Sequence, residues 1–168
     1  MAAVVCDPVI CDSVEARLRG LLRRRQQRLH WHDESDPRRG LIVSALADLD
    51  LAHLVVVGSP VARTRQERAR RLCLQALLQR LDKLGVTSLT LETRGATGDR
   101  RDRETVAQLL GRQAMSRGLR VRHGAPRAEA MLWTPDVVAG VARLAVRGGD
   151  VTHLRALGAV EEIWIDIT

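Results

Sequence analysis

Phenylalanine and tyrosine do not occur in this chain of 168 residues, and tryptophan occurs three times. A core built from this alphabet must be aliphatic, and rows of aromatic rings for stacking on bases are excluded. Lysine is almost gone as well: among 27 basic residues only Lys83 is a lysine. No apolar run reaches the roughly 18–20 residues that a membrane span needs. No basic-then-apolar leader opens the chain, so secretion is not expected. The cysteines are Cys6, Cys11 and Cys73, an odd number without CxxC spacing. Zinc-finger frameworks are excluded, and free thiols in a cytoplasmic protein are the expectation. No GxGxxG follows a strand, and neither GxxxxGK[ST] nor GxSxG occurs. Dinucleotide, P-loop and hydrolase-elbow sites therefore have no support.

What the chain has in quantity is arginine. The formal net charge is +7, with 45% hydrophobic residues, enough for one globular core. The charge is unevenly placed. Residues 1–60 carry eight bases and eight acids, residues 61–127 sixteen and six, and residues 128–168 three and six. A positive middle segment permits a nucleic-acid partner, because guanidinium groups match phosphate oxygens. A GC-rich coding sequence is the plainer explanation of the arginine-to-lysine ratio, but it does not explain the position of the charge.

The periodicities alternate between strand and helix. Ala2–Cys6 reads as a short buried strand. Asp12 or Ser13 caps a helix expected to reach about Leu29. Asp36 and Pro37 open a second helix to about Leu49. The β-branched run His53–Gly58 is expected to be an interior strand. Thr64–Leu84 reads as an amphipathic helix ended by Gly85. Ser88–Glu92 is a strand, followed by a polar loop, TRGATGDRRD, and a helix capped by Asp102. Leu119–His123 is a strand, Thr134 and Pro135 open another helix, and Glu162–Ile167 is the last strand. This order predicts an α/β domain over 1–168 with a mixed sheet and helices on both faces.

Chemistry would have to come from carboxylates at the ends of these elements. Glu92 closes a strand, Asp99 and Asp102 follow it, and Asp136 lies in the first turn of a helix. Asp33 and Glu34 lie in HWHDES. Ligands gather at the carboxyl ends of strands in α/β sheets. Several acids converging there make a site for Mg or Mn that could hydrolyse a phosphodiester. Each residue also has a plainer role. Asp136 suits the helix dipole, Glu92 could pair with Arg94 or Arg120, Asp102 could be a cap and Asp99 a turn residue. Asp33 and Glu34 could be solvated, and Trp31 and Trp133 could be core.

LTLETRGATGDRRDR (Leu89–Arg103), EAMLWTPDVVAGVA (Glu129–Ala142) and RLHWHDE (Arg28–Glu34) together resemble an actinobacterial family of uncharacterised proteins with a ribonuclease H-like fold. The resemblance spans roughly residues 1–142. It implies a ribonuclease H-like mixed sheet and a nuclease-like, divalent-metal site. Glu92 and Asp136 match the family's acids and would be ligands, with Asp99 or Asp102 as a third. Family members begin with a strand ending in Asp-Glu-Ser, ahead of the one matched by Ala2–Cys6; here the only Asp-Glu-Ser is Asp33-Glu34-Ser35, which follows a helix. A start codon assigned too late, a natural truncation, or replacement by the C-terminal strand with Asp166 turned inward would each account for this.

The resulting expectation is a Mg- or Mn-dependent nuclease acting on nucleic acid. Glu92, Asp99, Asp102 and Asp136 form its catalytic set. Arg94, Arg100, Arg101, Arg103, Trp31 and His32 contact the nucleic acid. The alternative keeps the fold as a non-catalytic module binding nucleic acid or protein. A second copy or a partner would cover the open sheet edge left by the missing strand.

Overall fold

The computed structural model describes residues 1–167; the side chain of Arg63 lies outside that description. Among the described residues there are five strands and six α-helices. They are β1 (Ala2–Val5), α1 (Cys11–Gly20), α2 (Asp36–Ala47), β2 (Ala52–Ser59), α3 (Gln66–Lys83), β3 (Ser88–Glu92), α4 (Gly95–Gly111), β4 (Arg120–Gly124), α5 (Trp133–Gly148), α6 (Thr152–Leu157) and β5 (Val160–Asp166). The architecture is α/β and mixed, as the alternating periodicities predict. The strands form a three-stranded sheet of order β1-β2-β5 and a separate pair, β3-β4. β1 runs antiparallel to β2, with Val4 opposite His53, whereas β3 and β4 are parallel, with Glu92 opposite Gly124. No helix among the described residues is long and apolar enough to cross a membrane.

The chain divides into two compact units. One holds Met1, Val56–Ala125 and the last residues from Glu162; the other holds Ala2–Val55 and Pro126–Glu161. The first contains fifteen basic and eight acidic residues, the second twelve of each, so the whole net charge of +7 belongs to the first. They are called the basic and the neutral unit below.

In the basic unit α3 packs on α4. Leu74, Leu77, Leu78 and Leu81 of α3 are fully buried, the i, i+3, i+4, i+7 stripe that its sequence spells. Gly85, at φ +75°, stops the helix in the left-handed conformation that glycine adopts without strain. In the neutral unit α5 packs against β1, and α2 against α6. Its core is Leu18, Ile42, Leu46, Leu54, Trp133, Val138 and Val141.

Three expectations change. The helix from Asp12 stops at Gly20 instead of reaching Leu29. Its last turn is closed by Arg38, which donates to the Leu21 carbonyl. Arg23 N–H donates to the Gln26 side chain at 3.1 Å, and Arg25 takes φ 71°. The run Arg23-Arg24-Arg25 is thereby exposed on a turn and not on a helix face. Leu29 is still buried, from a loop. The polar stretch after β3 is no loop: α4 begins at Gly95, so Asp102 sits inside a helix rather than capping one. The short helix α6 was not foreseen.

Candidate functional site

The carboxyl ends of the parallel strands β3 and β4 carry the densest cluster of charged side chains in the basic unit. It starts at the turn between β3 and α4. The Thr93 hydroxyl donates to Asp99 Oδ2 at 2.6 Å, and the Arg94 N–H donates to Asp99 Oδ1 at 2.7 Å. Asp99 thus reaches back from the second turn of α4 and ties its start to the strand end. The Thr93 hydrogen bond, then that of the Arg94 amide, hold the Asp99 carboxyl below the usual carboxylate range. Gly98 is buried here because a Cβ would lie 2.6 Å from Arg94 Cβ.

Asp102, one turn on, is buried at 4% exposure. Its Oδ2 accepts from Arg70 of α3 at 2.9 Å, and Arg94 lies 3.6 Å from its Oδ1. Arg94 also donates to Glu67, which has Arg101 3.3 Å away on its other oxygen. The Arg94 hydrogen bond is the main cause of a Glu67 pKa below the ordinary value. Arg70, Arg94 and Arg101 thus face Glu67, Asp99 and Asp102, three charges against three. His123 of β4 completes the cluster. Its Nε2 lies 3.8 Å from Asp99 and 3.7 Å from Asp102, buried and without a hydrogen-bond partner.

The expected residues Asp99, Asp102, Arg94 and Arg101 are therefore together. Glu92 ends β3, exposed, at the same strand end. Arg100 and Arg103 are exposed on α4, Arg100 with Glu104 3.8 Å away. Glu67, Arg70 and His123 carry no local motif. Only the parallel pairing of β3 with β4 and the packing of α3 on α4 bring them in. Reading Leu89 opposite Val121 and Leu91 opposite His123 would have found His123 from the two apolar patterns.

Asp136 belongs to the neutral unit. Its Oδ2 accepts the Trp31 N–H at 2.8 Å. Trp31 is 6% exposed, so this ring is not presented for stacking on a base, and Trp133 at 1% is core as well. The Trp31 indole lies against Gly140, where any Cβ would run into the ring. Arg39 sits 5.0 Å over its face and donates to the Trp31 carbonyl at 3.1 Å, and His153 meets it edge-on at 5.5 Å. His32 and Asp33 are exposed, but Glu34 is buried at 5%. Gln26 donates to Glu34 at 2.6 Å, and Arg23 and Arg38 approach it to 3.6 and 3.8 Å. Glu34 is thus buried in an ionic cluster rather than solvated: Gln26 donates to one oxygen, and the two arginines lie near the other, which has no hydrogen-bond partner. Asp166 is exposed and Ile167 buried, so the last strand turns its isoleucine side inward.

Mg or Mn asks for open carboxylate oxygens in an octahedral shell. Asp102 is engaged by two arginines, Asp99 by a hydroxyl and an amide, and Asp136 by a backbone N–H. No group of three His, Cys, Asp or Glu side chains among the described residues is arranged to hold a metal ion. The acids do not fit a two-metal centre as they stand. They form an ion network that fixes the start of α4 against α3 and leaves arginines on the outer surface of α4. No family model, curated protein or solved structure matches the chain.

Proposed function

We propose that the chain is a non-catalytic nucleic-acid-binding module whose basic unit tracks a phosphate backbone. One observation carries this reading: the entire net charge lies in one unit, the other being neutral. Arg65, Arg68 and Arg71 of the α3 region, Arg100 and Arg103 of α4, and Arg120 and Arg122 of β4 are all exposed. The ion network is charge-balanced, so it contributes rigidity and the outer arginines contribute the field. Phosphate contacts of this kind give affinity without sequence readout and release counterions, so binding weakens steeply with salt. The test is fluorescence anisotropy with labelled duplex DNA and single-stranded RNA over a salt series. A linear fall of log affinity with log salt supports the reading. Affinity indifferent to salt, or no binding at low salt, overturns it.

A second reading, Mg- or Mn-dependent phosphodiester hydrolysis in a ribonuclease H-like fold, draws support from Glu92, Asp99 and Asp102 gathering at the carboxyl ends of β3 and β4. Chelator-sensitive cleavage of DNA or RNA, lost in the Glu92→Ala, Asp99→Ala double variant, would establish it. Without such cleavage the binding module stands.

A further inference from the structure

Cys6 follows β1 and Cys11 is the first residue of α1, both in the neutral unit and both half-buried. The turn between them, Pro8–Ile10, is tightly specified. The Asp7 side chain caps it by accepting the Val9 N–H at 2.9 Å, and the Ile10 N–H donates to the Asp7 carbonyl at 3.1 Å. Proline at its first position fixes φ and needs no partner for an N–H. This turn brings two thiols around one oxygen: Cys6 Sγ donates to the Asp7 carbonyl at 3.3 Å and Cys11 Sγ to the same carbonyl at 3.4 Å.

We propose that Cys6 and Cys11 are a redox pair that closes to an intramolecular disulfide by exchange with a low-molecular-weight disulfide of the glutathione class. The thiolate of one cysteine attacks the small disulfide, forming a mixed disulfide and expelling one small thiolate. The sulfur of the second cysteine attacks the protein sulfur of that mixed disulfide and expels the second small thiolate. The protein loses two electrons and two protons, the small disulfide gains both, and two small thiols leave. The loop-closure cost is already met, because the turn holds both sulfurs at one acceptor before any bond forms. Burial first, then the neighbouring Cys11 thiol, push the Cys6 thiol up to about 12. At neutral pH the Cys6 thiol therefore stays protonated, and closure through its thiolate quickens as pH rises. Cys73 is buried elsewhere, in the basic unit, and takes no part.

The experiment exposes the full chain to oxidised glutathione, alkylates the remaining thiols and measures intact mass. The expected result is loss of two of the three alkylatable thiols and of the mass of two hydrogens. Cleavage before Asp7 and Asp12 separates the two cysteines, and the fragments Met1–Cys6 and Asp7–Cys11 should remain joined until reduced. Cys73→Ser should behave as the parent does. Cys11→Ser should instead leave Cys6 reduced or carrying glutathione. Three alkylatable thiols after treatment of the parent, a stable glutathione adduct on Cys6 or Cys11, or cross-links between copies would each overturn the pair.

Discussion

The two units use charge in opposite ways. In the neutral unit the charged residues near the hub formed by Trp31 and His153 are turned inward: Glu34 near Arg23 and Arg38, Asp136 on the Trp31 amide, Arg39 over the Trp31 ring. In the basic unit three of the eight acids, Glu67, Asp99 and Asp102, are held in a balanced network with three arginines, and the unit as a whole keeps a net charge of +7. Distinctive residues are therefore poor guides to function in the first unit and better ones in the second. His-Trp-His-Asp-Glu and Trp-Thr-Pro-Asp stand out in the sequence, yet packing alone accounts for Trp31, Glu34, Trp133 and Asp136. Arg100 and Arg103 stand out less, and packing does not account for them.

The comparison breaks most readily at Trp31. Trp31→Ala should cost about 3–5 kcal/mol in urea unfolding followed by circular dichroism. Hydrogen exchange should lose protection in residues 2–55 and 126–161, and nucleic-acid affinity measured on the folded variant should not move. Gly140→Ala tests the same contact from the other side, since its methyl enters the indole, with a loss of about 1–3 kcal/mol. If either variant weakens nucleic-acid binding while folded, the hub belongs to the binding surface and the division between the units is wrong.

Glu34 comes next. Glu34→Ala leaves Arg38, 15% exposed, without its carboxylate. The expected loss is about 3 kcal/mol, because a half-buried cation keeps its desolvation cost and forfeits its partner. A solvated acid at this position would instead give a change within about 0.5 kcal/mol.

The reciprocal prediction concerns the basic unit. Arg100→Gln combined with Arg103→Gln should weaken duplex DNA binding on the order of tenfold near physiological salt. It should also flatten the salt slope by about two. Stability should change by less than about 0.5 kcal/mol, since both side chains are exposed. An unchanged slope would remove α4 from the binding surface.

Legibility in the sequence followed the range of the interactions. Strands β2, β3 and β4 and helix α3 were readable because their apolar periods are local and uninterrupted. The end of α1 was not, because Arg38, seventeen positions further on, closes it. The start of α4 was missed because glycines and acids read as a loop, whereas Asp99 hydrogen-bonds back to Thr93 and Arg94 and Gly98 admits the Arg94 stem. Among the site residues, Asp99 and Asp102 lie together because both belong to α4, although the sequence reads the one as a turn residue and the other as a cap. Their partners were invisible: Arg70 and His123 come from α3 and β4, and only tertiary packing selects them from many arginines and five histidines.

The smallest expected effect lies at His53, in the buried stretch of β2. Its ring is 5% exposed, and Nδ1 is buried without a hydrogen-bond partner. Burial lowers its pKa from the ordinary 6.5, because the charged imidazolium would lose its water. The folded state therefore binds the proton less readily than the unfolded state does. Stability is fully present above about pH 6.5 and falls as pH drops below it, until the folded-state pKa is passed. Replacing His53 by Leu removes the titrating group and the unpartnered nitrogen together. The pH dependence of the urea midpoint between pH 6.5 and 5 should flatten in His53→Leu, and remain in Arg100→Gln combined with Arg103→Gln. A slope retained in His53→Leu would assign the acid sensitivity to another group and leave the neutral unit's buried histidine without energetic consequence.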